Sequence, residues 1–210
     1  ISADIKEDID KNKVNFTFNI VETDNFYVNK IDILGNNITS EEFIRDNLYV
    51  DEGDPFNEIL HNKSLNKLRG SRIFKSVKSK ILSSDEDNNK IIQIEIEEKP
   101  TGEIMAGAGY GTDGTSFTVG IKENNFNGKG IKLGTNLSLS EDAIKGSFSY
   151  THPNFAYSDR AVTTSLESTT TDKLKDNGYK SSLNQFSLGT RYEQFDKLFF
   201  SPSFTISDET

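Results

Sequence analysis

The residues that follow Thr101 alternate between apolar and small polar side chains in segments of about ten residues. Over residues 131–139 the odd positions carry mostly Ile and Leu, while the even positions carry Lys, Gly, Asn and Ser. In the next segment Ile144, Phe148 and Tyr150 alternate with Lys, Ser and Thr. A period of two indicates β-strands with one apolar and one polar face, which suits either a membrane-spanning barrel or a half-exposed sheet of a soluble protein. The choice between them decides what the chain can do.

This pattern predicts about seven antiparallel strands in the second half of the chain. They are expected at roughly 102–111, 115–125, 130–140, 143–152, 159–170, 179–192 and 197–207. A membrane barrel has an even number of strands, about eight at the least, and hydrocarbon does not tolerate an open strand edge. We therefore expect an incomplete barrel whose remaining strands lie in sequence outside this chain.

Composition excludes a helical membrane protein without excluding a barrel. Only 33% of the 210 residues are hydrophobic, and no apolar run approaches the roughly 20 residues that a spanning helix needs. A barrel strand needs an apolar residue only at every second position. The net charge of −9 argues against a phosphate-binding surface, such as one for nucleic acid, as the main function. The chain has no cysteine, so a disulfide framework and a thiol nucleophile are excluded.

One loose group of basic residues interrupts the acidic composition. It consists of Lys63, Lys67, Arg69, Arg72, Lys75, Lys78 and Lys80. Such a group is typical of the solvated side of a helix and of the strand after it, and it can also form a contact surface for an acidic partner.

The first half of the chain predicts a different architecture. Residues 1–23 read as two strands of a hairpin, which cannot bury a core alone. Residues 24–100 read as a β-α-α-β-β unit that begins with a strand over 27–34. Because the hairpin matches the last two strands of that unit, we expect it to end a preceding repeat of the same kind.

Local signals place the two helices of this unit. Thr39 and Glu42 have the spacing of a capping box, which predicts the start of a short helix, and a second helix is expected to begin at Phe56. The side chains expected to face the core are Phe43, Ile44, Leu48, Leu60, Leu65 and Leu68.

Several stretches resemble known sequences. FYVNKIDILGNN (26–37), Gly53, LNKLRGSRIFKSV (65–77) and IIQIEIEEKP (91–100) together resemble a POTRA domain. TGEIMAGAGYGTDGTSFTVGIKENNFNGKG (101–130) and SYTHPNF (149–155) resemble the first barrel strands of the outer-membrane barrel-assembly family. The spacing of these last motifs is the more specific signal, and the resemblance covers essentially the whole chain.

The resemblance implies a fold, a location and partners. It implies an α+β POTRA domain over 24–100, preceded by the terminal hairpin of another POTRA domain at 1–23. It further implies that 101–210 are the N-terminal strands of an antiparallel transmembrane β-barrel in the bacterial outer membrane, with the POTRA domains in the periplasm. The family folds and inserts nascent outer-membrane β-barrel proteins, with accessory assembly lipoproteins on its POTRA domains and outer-membrane lipid around the barrel.

The first barrel strand is expected to carry the function. It contains Gly102, Gly107, Gly109 and Gly111, and glycine within a strand weakens pairing and lets another backbone approach. In the family this strand forms a seam with the last barrel strand, and the seam opens sideways. We expect a lateral-gate edge that templates incoming strands by backbone hydrogen bonds. The alternative is that the glycines relieve crowding in a tightly curved wall.

Aromatic residues near the compact turns predict one membrane interface. They are Phe126, Phe155, Tyr157, Tyr192 and Phe195. Since the chain enters the barrel from the POTRA domain, this interface is expected on the periplasmic side. Aromatic side chains also flank tight turns in ordinary sheets, which is the competing interpretation.

No residue constellation supports catalysis, a cofactor or a metal. Residues 109–114 match G-x-G-x-x-G, but a dinucleotide site needs a helix after the last glycine, and the sequence there alternates with period two. His61 and His152 are the only histidines, and neither lies in a metal-ligand or triad spacing.

Two other functions remain open at this point. A secretion or translocation transporter of the same superfamily would share both the POTRA domains and the barrel. A soluble β-rich surface-binding module would instead pack the apolar side chains of 101–210 against a second layer.

Overall fold

The described residues of the chain form three separate β-sheets, with two α-helices packed on the second of them. The computed structural model describes residues 2–8, 13–19, 25–84, 88–111, 114–174, 178–195 and 197–210. The first sheet is the predicted N-terminal hairpin. Its strands β1 (Ser2–Asp8) and β2 (Lys13–Asn19) are antiparallel, with Ser2 opposite Asn19. The rest of the predicted 1–23 segment, including its turn at 10–12, lies outside the described residues.

The second sheet belongs to an α+β domain with the predicted β-α-α-β-β order. Its elements are β3 (Tyr27–Leu34), α1 (Glu41–Arg45), α2 (Glu58–Gly70), β4 (Phe74–Ser83) and β5 (Asn89–Glu98). The order across the sheet is β3-β5-β4, with β3 parallel and β4 antiparallel to β5. The predicted strand over 27–34 is confirmed at both ends.

The core of this domain lies between the two helices and one face of the sheet. Ile92, Ile94 and Ile96 occupy alternate positions of the central strand and are all buried, as period-two geometry requires. Phe43, Ile44, Leu65 and Leu68 were predicted to face inward and are buried as well, and Leu48 packs against the same cluster. The prediction for Leu60 was wrong, since it lies in the first turn of α2 and is 37% exposed.

The helix starts differ from the predicted ones. Ser40, not Thr39, caps α1, and its Oγ accepts a hydrogen bond from the Phe43 amide. Asn57 caps α2 by accepting hydrogen bonds from the amides of Ile59 and Leu60, so this helix begins after Phe56. Both caps are residue types that favour this position. The capping-box prediction failed because Thr39 has other partners, described below.

The third sheet is an antiparallel meander of eight strands. They are β6 (Gly102–Gly111), β7 (Gly114–Phe126), β8 (Ile131–Ser140), β9 (Ala143–His152), β10 (Ala161–Lys173), β11 (Tyr179–Phe195), β12 (Leu198–Phe200) and β13 (Ser203–Glu209). Each consecutive pair from β6 to β11 is hydrogen-bonded, and β11 pairs with both β12 and β13. Gly111 pairs with Gly114 and a strand follows, so the G-x-G-x-x-G match spans the ends of two paired strands, with its residues 112 and 113 outside the described part.

The predicted seventh strand is divided in two. Residues 201 and 202 interrupt it, because Pro202 has no amide hydrogen to donate to a ladder. The Pro202 carbonyl accepts a hydrogen bond from the Thr190 amide instead, at 3.0 Å. The fifth and sixth strands extend three residues further than predicted at their C-terminal ends.

The register of the meander gives it one apolar face. Phe148 lies opposite Leu166, Leu166 opposite Phe186, and Phe186 opposite Ile206. The apolar side chains of this face are between 39% and 81% exposed: Ile104, Phe117, Val119, Ile121, Leu137, Leu139, Ile144, Phe148, Leu166, Phe186, Leu188, Phe204 and Ile206. Within the described residues no second layer covers them. This is the arrangement expected of a wall that faces lipid, and it differs from the inward packing that a soluble module requires.

The opposite face of the meander is polar. Thr118 and Ser138 share a hydrogen bond across β7 and β8, as do Thr151 and Thr163 across β9 and β10. Lys145 and Glu167 form an ion pair on the same face. Neither helix of the described chain is long and apolar enough to cross a membrane.

Core packing in the α+β domain can be tested with two leucines of one helix. Leu68 is fully buried and Leu60 is 37% exposed. We expect Leu68→Ala to lower the free energy of unfolding by about 2–5 kcal/mol, because it leaves a cavity among packed side chains. Urea denaturation of residues 25–100, followed by circular dichroism, measures this. Leu60→Ala is the matched control, and an equal loss in both variants would contradict the described core.

Candidate functional site

The edge strand β6 is the predicted functional element, and it pairs with β7 alone among the described strands. Every residue of β6 is exposed. Gly107, Gly109 and Gly111 lie on the polar face of the sheet, whereas Gly102 shares the apolar face with Ile104. The strand therefore presents a row of backbone groups that no described element covers.

Backbone strain explains none of the four β6 glycines, and crowding in the described sheet does not explain Gly107 or Gly111. None of the four has a positive φ. A Cβ added at Gly107 or Gly111 would have no atom within 4 Å. At Gly102 and Gly109 the nearest atoms would be side-chain oxygens, at 3.2 and 3.3 Å.

The first turn of the meander docks directly on the α+β domain. Asn125 is 5% exposed; its Nδ2 donates to Thr39 Oγ1 at 2.9 Å, and its Oδ1 accepts from the Gly130 amide at 2.8 Å. The Ser40 amide donates to the Gly128 carbonyl at 2.9 Å. The loop before α1 is thus joined to the β7–β8 turn by side-chain and backbone hydrogen bonds.

Two glycines make this contact possible. Gly128 and Gly130 both have positive φ, 69° and 65°. A Cβ on Gly128 would lie 2.2 Å from the Ile38 carbonyl oxygen, and one on Gly130 would lie 2.1 Å from the Phe43 ring. The NNFNGKG motif noted in the sequence therefore contains two glycines that the domain contact requires. Sequence reasoning identified the motif as a resemblance and missed this role.

Glu98 holds the docking loop in place. Its carboxylate accepts hydrogen bonds from the backbone amides of Asn37, Ile38 and Thr39, at 2.9, 2.9 and 2.7 Å. Burial acts to raise the pKa of Glu98, but the bonds from the Thr39 hydroxyl and from the three amides outweigh it, so the pKa lies below its ordinary value. Three amides around one carboxylate form an anion-binding loop, which occupies the Thr39 groups that a helix cap would have used.

The second turn adds a charged contact. Lys67 of α2 forms an ion pair with Asp159 at 2.8 Å. Asn154 hydrogen-bonds to the Asp46 carboxylate, whose pKa is raised by burial and by nearby Glu42. The α+β domain therefore contacts both described turns, at 124–130 and 153–160, on one end of the meander.

The predicted aromatic residues lie at this same end. Phe126 closes β7, Phe155 begins a 3-10 turn, and Tyr192 and Phe195 end β11. Phe126, Phe155 and Phe195 are 45%, 52% and 67% exposed. Tyr157 lies in the 3-10 turn, but its side chain is outside the described part of the structure. Phe199 and Phe200 also lie here, in the short β12, and the sequence analysis did not include them.

A family comparison identifies the α+β domain. The POTRA model, described as the surface antigen variable number repeat, matches residues 26–99. These residues form a POTRA domain.

Comparisons over longer ranges cover both the POTRA domain and the meander. The outer membrane protein assembly factor BamA of Buchnera aphidicola is 30% identical over 159 residues, which is 75% of this chain and 26% of that protein. The crystal structure of Haemophilus ducreyi BamA lacking POTRA domains 1–3 matches 99% of this chain and 40% of its own, with a TM-score of 0.76 and 22% identity. CdiB from Acinetobacter baumannii has a TM-score of 0.60 at 15% identity, again covering 99% of this chain and 42% of its own.

These likenesses confirm the predicted relationship to the barrel-assembly family and the predicted fold. The chain spans about a quarter of the curated relative and two fifths of the solved structures. Its meander corresponds to barrel strands that do not close on themselves among the described residues. The protein is located in the bacterial outer membrane with its POTRA domain in the periplasm, as predicted. No group of three or more His, Asp or Glu side chains suited to a metal ion occurs in the described part of the chain.

The Glu98 site predicts a specific pH dependence. Because the folded-state pKa is lowered, the stabilisation is present above the ordinary Glu value of 4.5 and is lost as the pH falls through the folded-state value. We expect Glu98→Gln to lower the unfolding free energy of the POTRA domain by about 1–3 kcal/mol at pH 7 and to reduce its acid sensitivity. Denaturation at pH 7 and pH 3 measures both. Glu97→Gln, in an exposed ion pair with Lys75, is the control and should change little.

The docking contact predicts a fixed domain orientation that Gly130→Ala disturbs. The new methyl group would overlap the Phe43 ring at a backbone φ of 65°, so the turn must move away at a cost of about 1–3 kcal/mol. Spin labels on cysteines at Ile59 and Asp142 of the full-length protein report the distance between domain and sheet by pulsed electron resonance.

The expected result is a broadened distance distribution for Gly130→Ala. Gly146→Ala is the matched control, since a Cβ there meets no atom within 4 Å, and it should keep the wild-type distribution. A wild-type distribution in Gly130→Ala as well would show that the turn does not restrain the POTRA domain.

Proposed function

We propose that this chain is the membrane-proximal part of a machine that folds and inserts other outer-membrane β-barrel proteins. Its boundaries are then a POTRA hairpin at 1–23, a POTRA domain at 24–100 and the opening barrel strands at 101–210. The POTRA family match at 26–99 supports the proposed start and end of the POTRA domain, 24 and 100, to within two residues. The partners are nascent barrel proteins, accessory lipoproteins on the POTRA domain and outer-membrane lipid.

The main support for the proposal is that β6 is an exposed edge strand. All ten of its residues are exposed, and one of its edges has no described partner. A larger side chain would fit at positions 107 and 111. The glycines there therefore favour weak strand pairing, rather than relief of crowding, as their role. Each incoming strand would pair its backbone groups with this edge and bury its apolar side chains in lipid, so insertion needs no nucleotide.

The POTRA domain would receive clients at a strand edge of its own. The outer edge of β3 is already occupied, because Val28 exchanges hydrogen bonds with Gly53 and Asp54 and the Ile31 amide donates to Glu52. The Arg45 guanidinium also donates to the Ile31 carbonyl. On the outer side of β4, Arg69 donates to the Val77 carbonyl. Because Arg69 is the one side chain described on the β4 backbone while several groups occupy β3, the β4 edge is the more available one for an added strand.

Disulfide trapping tests the gate. The chain has no cysteine of its own, so Ala108→Cys in β6 of the full-length protein can be paired with a cysteine in the last strand of a client barrel. We expect cross-links during assembly, because β6 would pair with the incoming strand at about 5 Å. Leu139→Cys is the control, since it lies on the same face of β8, a strand paired on both sides.

The outcomes separate the functions. Equal cross-linking at both positions, or none at β6 under conditions in which the client is assembled, would refute the gate. A secretion transporter would cross-link its substrate through the polar inner face instead, for example at a cysteine replacing Ser147.

A further inference from the structure

The start of the edge strand β6 is held to the end of β7 by a group of hydrogen bonds. The Thr101 hydroxyl donates to Glu123 Oε1, and the Thr101 carbonyl accepts from both the backbone amide and the Nδ2 of Asn124, at 3.2 and 3.1 Å. Glu123 Oε1 also accepts from the Asn125 amide at 2.7 Å. The four residues, Thr101, Glu123, Asn124 and Asn125, form the β6 anchor.

A bulge at the end of β7 gives the anchor its shape. Because Glu123 pairs with Leu133 and Phe126 pairs with Ile131, β7 carries one residue more than β8 over this stretch. A bulge changes the direction of nearby side chains. Here Asn124 reaches back to the start of β6 and Asn125 reaches the POTRA loop. The anchor is therefore also joined to the buried contact between the domain and the sheet.

Gly102 leaves room for the carboxylate of the anchor. It lies directly opposite Glu123, and a Cβ added to it would lie 3.2 Å from Glu123 Oε2. Gly107 and Gly111 differ, since a Cβ at either would meet no atom within 4 Å. The periplasmic end of β6 thus fits one particular side chain of β7, whereas the rest of the strand is loosely surrounded.

Beyond the anchor, few side chains fix the position of β6 along β7. With one exception, residues 106–111 are Ala or Gly. The outward positions of β7 that face this strand, Phe117, Val119 and Ile121, are all apolar. A slip of two residues would keep every side chain on its own face, and Gly-rich strands are prone to such slips. Apolar alternation therefore does not by itself select the observed register, in which Ala106 pairs with Val119.

The anchor does distinguish the observed register from a slipped one. A slip of two residues would displace Thr101 from Glu123 by about 7 Å along the strand. It would break the bond from the Thr101 hydroxyl to Glu123 and both bonds from Asn124 to the Thr101 carbonyl. Hydrogen bonds to a carboxylate are stronger than those between neutral groups, so the loss opposes the slip.

We propose that Glu123 is a positioning residue that fixes the register of β6 on β7, and with it the register at which an incoming strand pairs with the exposed edge of β6. A slip of two residues in β6 would move the incoming strand, and its apolar side chains, by about 7 Å. The part that concerns the incoming strand rests on the proposed function. The part that concerns β6 and β7 stands independently of it.

Disulfide mapping of β6 against β7 tests the register. Facing residues of two strands have Cβ atoms about 4.5–5.5 Å apart, against about 7–8 Å for residues displaced by two, so a disulfide reports one register. In the full-length protein in outer membranes, without other cysteines, Ala106→Cys is combined with Val119→Cys for the observed register. It is combined with Phe117→Cys or Ile121→Cys for a slip of two. Only protein that migrates as a folded barrel in unheated electrophoresis samples is scored.

We expect the protein with an intact anchor to form the 106–119 disulfide alone. Glu123→Ala should lower the yield of this disulfide about twofold or more and add a slipped one, because the Gly-rich strand loses its side-chain anchor. Glu123→Gln keeps an acceptor oxygen and should restore most of the original pattern. Thr101→Val removes only the donating hydroxyl and should give a smaller slip, which keeps the test decisive if Glu123→Ala does not fold.

Glu103→Ala is the matched control. Glu103 belongs to the same strand pair but lies opposite Lys122 on the polar face, so its loss should leave the 106–119 disulfide unchanged. An unchanged pattern in both Glu123→Ala and Thr101→Val overturns the proposal. Equal slippage in Glu103→Ala overturns it too, since the register would then depend on no particular carboxylate.

The outcome is separable from that of the gate. In Glu123→Ala, the client cross-links formed by Ala108→Cys should move by two residues along the client strand. If slipped β6–β7 disulfides form while no client cross-link forms with an intact anchor, the proposed function fails and the role of Glu123 stands. If client cross-links form and the β6–β7 register never changes, the gate stands and the role of Glu123 is refuted.

Discussion

The structure depends on one constraint: the apolar face of the meander cannot remain in contact with water. Thirteen of its apolar side chains are at least 39% exposed, and each would gain about 1–3 kcal/mol on full burial. Soluble proteins avoid apolar patches of this extent. Lipid is the environment that removes the cost, and it simultaneously requires that every backbone amide be paired within the sheet. The hydroxyl, amide and charged side chains of the opposite face then line an aqueous interior.

A second constraint joins the two folded parts. The Glu98 carboxylate organises the loop at 37–39, that loop holds Asn125, and Asn125 holds the turn at 125–130. Glu98 is the last residue of β5, directly before the segment that connects the POTRA domain to the meander. The residue that organises the contact between the two parts therefore lies next to their covalent connection. Hydrogen bonds to charged groups are stronger than neutral ones, which suits a contact that must persist at a membrane surface.

Period-two alternation was sufficient to predict most of the meander. The first four strands were predicted within one residue at each end, because side-chain orientation and backbone pairing repeat with the same period. Pro202 was a visible sign of the break between β12 and β13, but the strand pattern on both sides masked it. The order of elements in the POTRA domain followed equally from local signals.

Contacts between distant residues could not be predicted in this way. Thr39 and Ser40 are adjacent hydroxyl residues, and either could cap α1 by sequence alone. Ser40 is the cap because Thr39 is bound to Glu98, which lies 59 positions away. The bond between Asn125 and Thr39 spans 86 positions. The edge-strand glycines were visible in the sequence, whereas the open space beside Gly107 and Gly111 could be seen only in the coordinates. The basic group was also visible, but only Lys63 and Lys67 of it face the meander, in a cleft that Arg160 and Arg191 line from the other side.

The short connection between β5 and β6 has a mechanical consequence. Only residues 99–101 separate these strands, a length that spans at most about 10 Å when fully extended. The connecting segment is therefore too short to accommodate a rotation of the POTRA domain, and such a rotation would displace β6. A force on the domain would therefore act directly on the exposed edge strand β6.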